Sequence, residues 1–318
     1  MLTSDELAAR TDRAVAAAAG AGRDLGLTVT DPRVLYDVFS VVVHLSPAPV
    51  VVRVPTVLPR TVAADPDAQA AQQRCELAVA GWLADRGHPV VPPSTLVARE
   101  PVLRDGLSMT FWRFVEQVPD ADPDTGRRAT VTAHLHAALR EYPAELPFLM
   151  PLDASVPDGL EQLERRPNLL DAADLDRARR EWALLEPVVR SRAAFEAAFP
   201  GVDVQPIHGD APYYNIIVTP EGELCSDFEH VTIGPVGWDL AGIGPQGQAA
   251  YDAAAAGLGL RPLDEQLLRV MESARMIQCV ACLALVPQLP ILAEGLRPWL
   301  DQWRTTPLAG GLEEIDSR

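Results

Sequence analysis

A chain of 318 residues, 48% of them hydrophobic, can bury a large core and is too apolar to remain disordered. Its net charge of −17 argues against a sequence-independent nucleic-acid binder, which needs a basic surface to release counterions, and suits a cationic small ligand drawn in at long range. Four cysteines (Cys75, Cys225, Cys279, Cys282) are too few for a disulfide framework, and no apolar stretch free of prolines and charges reaches the about 18 residues of a membrane span, so a cytoplasmic protein is expected.

The N-terminal "MLTSDELAARTDRAVAAAAG" reads as an amphipathic helix rather than a signal peptide. Residues 34–54 predict a β-hairpin, the β-branched runs "VLYDVFSVVVHL" and "VVVRVP" flanking the turn "SPAP". The stretch "PDAQAAQQRCELAVAGWLADRG" is helical by periodicity and ends at Gly87. Two more strands are expected in "STLVARE" and "LSMTFWRFVE", joined by a loop containing "RDG". Beyond the turn-rich "VPDADPDTGRR", "ATVTAHLHAALREY" and "DAADLDRARREWALLEPVVRSRAAFEAAF" predict helices, the second a long one. Two short strands, "NIIVT" and "ELCSDFE", surround the turn "PEGE", and the last quarter is helical again. The pattern is α+β, with a boundary near residue 115 between an N-terminal mixed-sheet lobe (1–115) and a mostly helical C-terminal lobe (116–318), and a cleft expected between them. Cys279 and Cys282 form a CxxC inside an apolar helical run and are expected to pack as small hydrophobes.

The densest chemistry lies in "PIHGDAPYYNIIV". Asp and Asn in a loop often serve backbone turns. The hairpin that follows argues for more. Asn215 enters its first strand and Asp227 leaves its second, so antiparallel pairing returns Asp227 to the end where Asn215 sits, with Asp210 just ahead. Three oxygen-bearing side chains, two of them carboxylates, suit Mg²⁺, which leaves its other positions to phosphates and water.

"HGDAPYYN", then "DFE", then "GPVGWDLA" resembles the aminoglycoside phosphotransferase and choline kinase family, small-molecule kinases with a protein-kinase-like fold. The likeness is strongest over residues 206–242 and looser over 34–140. It implies a small N-lobe with an antiparallel sheet and a larger helical C-lobe. It also implies that Asp210 takes the proton of an acceptor hydroxyl, while Asn215 and Asp227 hold Mg²⁺ on the phosphates of ATP or GTP. His208 and Gly209 would shape the loop, and Asp239 would brace it by hydrogen bonds. The helix "AHLHA" (His134, His136) echoes a Leu-His element in which the histidine is structural.

Family members grip the phosphates with a strand lysine oriented by a helix glutamate. This sequence has no lysine, and all 27 basic residues are arginines. Arg53 in "VVVRVP" and Glu76 in "RCEL" stand in those places, although a guanidinium fork does not copy an ammonium. Backbone groups of Arg113, Phe114 and Val115 would pair with the nucleotide base, with Phe111 and Trp112 either behind it or plain core. Neither a GxGxxG nor a P-loop GxxxxGK occurs, and the second absence excludes an ordinary P-loop NTPase.

On the acceptor side, residues 193–260 hold no arginine while Asp and Glu recur, which fits a cationic hydroxylated small molecule such as an aminoglycoside. Glu272 and Glu294 are candidates to meet substrate amines, against the plainer role of solvated helix surface. The alternative function is a pseudokinase-like nucleotide- or ligand-binding protein without transfer activity, prompted by the missing lysine. Retention of Asp210, Asn215 and Asp227 together counts against it. A metallophosphoesterase is set aside, because the flanking DxH and GNH motifs are missing.

Overall fold

The computed structural model describes residues 1–153 and 155–314, with side chains up to residue 312. The chain forms two compact units, the first built from Met1–Pro119, Ile217–Glu229 and Leu285–Pro290, the second from Asp120–Ile216, His230–Ala284 and Ile291–Arg318.

In the first unit, helix α1 (Ser4–Asp24) starts at Thr3, whose side chain and that of Glu6 cap one another's backbone amides. An antiparallel sheet follows, of β1 (Val29–Asp37), β2 (Ser40–Pro47) and β3 (Val50–Pro55). After the one-turn α2 (Arg60–Ala63) and the long α3 (Pro66–Asp85) come β4 (Val102–Arg104) and β5 (Leu107–Arg113), completing the order β1-β2-β3-β5-β4. Alternation places Val41, Val43 and Leu45 of β2 and Val50, Val52 and Val54 of β3 on one fully buried face. Ala14, Ala17, Ala18 and Ala21 of α1 pack there, small enough to let the helix lie close. β1 is a solvated edge strand whose Asp31, Pro32 and Arg33 discourage further pairing.

Two expectations for this unit need correction. The run expected as one strand from Val34 to Leu45 is two, folded at Val38–Phe39. The turn carries neither Asn-Gly nor any glycine, so the usual hairpin signal is missing. The strand expected in "STLVARE" (94–100) does not form, and the partner of β5 is Val102–Arg104 instead. Pro92, Pro93 and Pro101 bracket the segment, and proline cannot donate to a ladder. Its backbone pairing with β5 is limited to Ser94 N–H donating to the Phe111 carbonyl, 3.0 Å, beside a bridge from Pro93 to Trp112, while ion pairs hold Arg99 to Asp85 and Glu100 to Arg74.

In the second unit, α4 (Thr125–Leu139) is capped by Asp124. It is followed by α5 (Ser155–Glu164), α6 (Ala172–Val189), α7 (Arg192–Ala198) and the short strand β6 (Gln205–Ile207). The helix expected to run unbroken from Asp171 to Phe199 is interrupted at Arg190–Ser191. Ser191 turns extended and accepts from the Ala194 N–H, ending one helix and starting the next. The hairpin of β7 (Ile216–Thr219) and β8 (Gly222–Cys225) then belongs almost wholly to the first unit, where Cys225 pairs its backbone with Pro89 and Val91. Back in the second unit, β9 (Thr232–Gly234) pairs antiparallel with β6, placing the chain after Ile207 beside the chain before Thr232. The remainder is helical: α8 (Val236–Asp239), α9 (Gly244–Gly257), α10 (Glu265–Cys282), α11 (Leu292–Gly295) and α12 (Arg297–Thr305). Ala129 and Ala133 of α4 meet Tyr251 and Ala255 of α9 in a core that also holds Tyr213 and Leu240. No helix among the described residues is long and apolar enough to cross a membrane.

Candidate active site

The loop His208–Asn215 leaves β6 and is anchored from below by one carboxylate. Asp239, at the end of α8 and fully buried, accepts the backbone N–H of His208 (2.8 Å) and of Gly209 (2.7 Å). Its Oδ2 also meets His136 Nε2 at 3.0 Å, and His136 Nδ1 meets the Tyr251 hydroxyl at 2.8 Å. A buried carboxylate needs this many donors to offset its lost hydration. Burial and the nearby Asp239 push the Tyr251 phenol well above its ordinary value, so it stays neutral. His136 is therefore a structural histidine, as expected, and His134 is exposed.

Gly209 holds φ +87°, and a side chain there would run into the His230 carbonyl. Its own carbonyl accepts the Trp238 indole N–H at 2.8 Å. The next residues also bend sharply, with Ala211 at φ +40° before a 3-10 turn, Pro212–Tyr214. Tyr213 is buried and donates to the Ala241 carbonyl at 2.7 Å, whereas Tyr214 is 64% exposed. Of the two tyrosines, one packs and one faces solvent.

Asp210 is thus presented by a loop braced on both sides. Asn215 Nδ2 donates to its carbonyl at 2.8 Å. The Asp210 side chain remains 42% exposed. Burial pushes its carboxyl up, but His230, Arg275 and His208 together outweigh that and hold it well below the usual carboxylate range. Arg275, on α10, reaches Oδ1 at 3.2 Å, and His230 Nδ1 lies 3.9 Å from Oδ2. The arginine-free stretch 193–260 is therefore not free of cations in space. No sequence motif marks Arg275, whose contact spans 65 positions.

In the first unit, Arg53 of β3 is 9% exposed and sits among three carboxylates. Its Nη1 lies 3.7 Å from Glu76 Oε2 on α3, and its Nη2 pairs with Glu229 and stands 3.4 Å from Asp227 Oδ1. Arg53 and Glu76, paired in the sequence by resemblance to the family, stand 3.7 Å apart. Glu229 is the member sequence reasoning passed over, although it is the last letter of "DFE". Gln72 of α3 holds its backbone carbonyl at 3.0 Å. Asp227 adopts φ +62°, a left-handed conformation seldom kept without a reason. Its Oδ1 is buried yet accepts no hydrogen bond. A carboxylate oxygen such as this one, 3.4 Å from Arg53 Nη2 and accepting no hydrogen bond, is a donor type a hard cation such as Mg²⁺ takes. Among the described residues no cluster of three or more His, Cys, Asp or Glu forms a ready metal site.

At the end of β5, the Arg113 and Phe114 amides already donate to the carbonyls of Pro92 and Pro49, each at 3.0 Å. Phe114 stacks on His44, with ring centroids 3.9 Å apart. Phe111 and Trp112 are buried, Phe111 within the core beneath α1 and Trp112 with its N–H on Thr110 Oγ1 at 2.8 Å. Of the outlying candidates, Glu272 is half-buried, its carboxyl pushed up chiefly by burial, while Glu294 is solvated. Burial pushes the Cys279 thiol up to about 11 and the Cys282 thiol to about 12, so both behave as packing groups.

The model of a family described as "Phosphotransferase enzyme family" matches residues 36–273. No curated protein sequence matches the chain. Among solved structures, a choline/ethanolamine kinase family protein from Mesorhizobium loti is 17% identical with TM-score 0.58, covering 94% of this chain and 99% of its own. A choline kinase from Streptococcus pneumoniae is 14% identical with TM-score 0.60, covering 89% of this chain and 98% of its own. An aminoglycoside phosphotransferase from Streptomyces rimosus, solved also with ADP and streptomycin, is 19% identical with TM-score 0.54, over 83% of this chain and 96% of its own. The expected α+β, protein-kinase-like fold is borne out.

Proposed function

The chain belongs to the phosphotransferase enzyme family, a small-molecule kinase by class, and on that premise we propose that it moves the γ-phosphate of ATP or GTP to a hydroxyl of a small molecule. The observation that carries this is the braced loop: Asp239 spends both oxygens on the His208 and Gly209 amides so that Asp210 projects from a rigid support. Asp210 is the proposed proton acceptor. Its depressed carboxyl is ionised at neutral pH and so able to hold and orient an acceptor O–H.

Asn215 and Asp227 are the proposed Mg²⁺ ligands. Mg²⁺ bound with the nucleotide would neutralise phosphate charge. The first unit's own charges support that need: one guanidinium, Arg53, faces three carboxylates, Glu76, Asp227 and Glu229. A bare polyphosphate would be repelled by that cluster and a metal-complexed one much less. Arg53 is the proposed phosphate-gripping residue, oriented by Glu76. Residues 1–115 are the proposed nucleotide lobe and 116–318 the catalytic and acceptor lobe. For the base, the Arg113 and Phe114 amides are committed, so their carbonyls and Val115 are the groups proposed to meet it.

The acceptor is proposed to be a hydroxylated antibiotic or related metabolite, on the strength of the net charge of −17 and of the aminoglycoside held by the Streptomyces rimosus enzyme. A cytoplasmic location is proposed with it. The test is a panel of aminoglycosides, amino alcohols and sugars incubated with MgATP and with MgGTP, followed by mass detection of a phosphorylated product. Nucleotide binding without product from any acceptor would refute transfer. Such a result would favour the second reading, binding without transfer, whose support is that Arg53 is already engaged by carboxylates.

A further inference from the structure

Arg275 is buried, 8% exposed, and arranged as a clamp on Asp210. Its guanidinium carbon lies over the Trp238 ring, 3.9 Å from the centroid. Nη1 donates to Gln278 Oε1 (2.9 Å) and to Asp210 Oδ1 (3.2 Å), and Nη2 reaches the Trp238 carbonyl at 3.4 Å. Trp238 in turn donates to the carbonyl of Gly209, the residue preceding Asp210. The surface on which Arg275 stacks is therefore tied to the loop that carries the carboxylate it holds.

Resting on the phosphotransferase assignment, we propose that Arg275 is a positioning residue: it fixes the Asp210 carboxylate in one rotation and leaves Oδ2 to receive the acceptor hydroxyl. An aspartate carboxylate otherwise turns broadly about its last torsion. One oxygen held by a charge-assisted bond from a stacked, tethered guanidinium removes that freedom. The Asn215 amide donates to the backbone carbonyl of Asp210 and His230 Nδ1 stands 3.9 Å from Oδ2, while the bond to Oδ1 is made by Arg275. Arg275 is not among the residues proposed to hold the nucleotide, so its loss acts on the chemical step rather than on nucleotide binding.

The test compares the full-length wild-type chain with Arg275→Gln, Arg275→Lys and Gln278→Ala. MgATP turnover is measured with the best acceptor of the panel above, and MgADP binding is measured by calorimetry. Arg275→Gln is expected to lose about 10- to 100-fold in kcat, the worth of one charge-assisted hydrogen bond, with KM for MgATP and Kd for MgADP changed less than about twofold. Arg275→Lys should recover part of that loss, since it restores the charge without the fork. Gln278→Ala keeps charge and stack and removes one tether, and should cost about threefold or more in kcat. It carries the test if Arg275→Gln does not fold. An active wild type whose kcat is unmoved by these changes, or a loss matched equally in MgADP binding, overturns the role of Arg275 alone. A wild type that turns over no acceptor overturns the phosphotransferase reading, and this proposal with it.

Discussion

Replacing Arg53 by methionine removes the guanidinium that faces Glu76, Asp227 and Glu229 while keeping much of the stem's apolar volume. Removing one partner of a buried ion pair costs about 3–5 kcal/mol, because the remaining charge is stranded. Here Glu76 is only 1% exposed, whereas the Asp227 and Glu229 side chains keep 39% and 22% of their exposure and can partly rehydrate. The lower end, about 3 kcal/mol, is therefore expected. For a unit of this size that corresponds to a drop in Tm of roughly 6–12 °C. Calorimetric melts with and without millimolar Mg²⁺ measure it. Mg²⁺ should raise the Tm of Arg53→Met more than that of the wild type, since the variant's carboxylates lack their cation. Arg53→Lys should fall between, because one ammonium cannot span the sides covered by Nη1 and Nη2. A loss under about 1 kcal/mol, with no extra Mg²⁺ effect, would refute the reasoning: the carboxylates would then be hydrated well enough to need no compensation.

Asp239→Asn should destabilise the chain by about 2–4 kcal/mol in denaturant melts, because its new amide N–H₂ opposes backbone donors and a buried acceptor is lost. A midpoint equal to wild type would mean the loop is braced elsewhere. Gly209→Ala, at φ +87° and against the His230 carbonyl, should cost about 2 kcal/mol or more and lower transfer even where folding survives. Wild-type stability and turnover would show that the loop has room to relax. Asp210→Asn should lower kcat by about 10²–10⁴-fold and leave MgADP affinity largely intact, and unaltered turnover would remove Asp210 from the base role. The same variant tests the pH dependence. The Asp210 carboxyl is held below its unfolded value, so its stabilisation is present above the ordinary carboxylate range and is lost as pH falls below that range toward the depressed folded value. Urea midpoints of wild type and Asp210→Asn should therefore converge on acidification from neutral pH, and a constant gap would contradict it.

Much of the local structure was legible in the sequence. "HGDAPYYN", "DFE" and "WDLA" single out Asp210, Asn215, Asp227 and Asp239 by resemblance to the family, and a short motif can do so because a loop or turn is written in adjacent residues. The hairpin around "PEGE", the capped α1 and the valine alternation of β2 and β3 were readable for the same reason. Where proline or a bare serine decided the outcome, the longer patterns misled. "STLVARE" has strand propensity but sits among prolines, and the run from Asp171 is cut by the cap at Ser191.

The sequence by itself determined the family, the α+β class and the identity of the loop carboxylates. Only the tertiary structure decided which charges face them. Arg275 meets Asp210 across 65 positions and Glu229 meets Arg53 across 176. An ion pair between distant segments leaves no periodicity, since it depends on where α10 packs and where the chain returns after β8. The "APYY" of the loop was settled in the same way. Tyr213 packs and Tyr214 is exposed because Ala241, far along the chain, offers one of them a carbonyl.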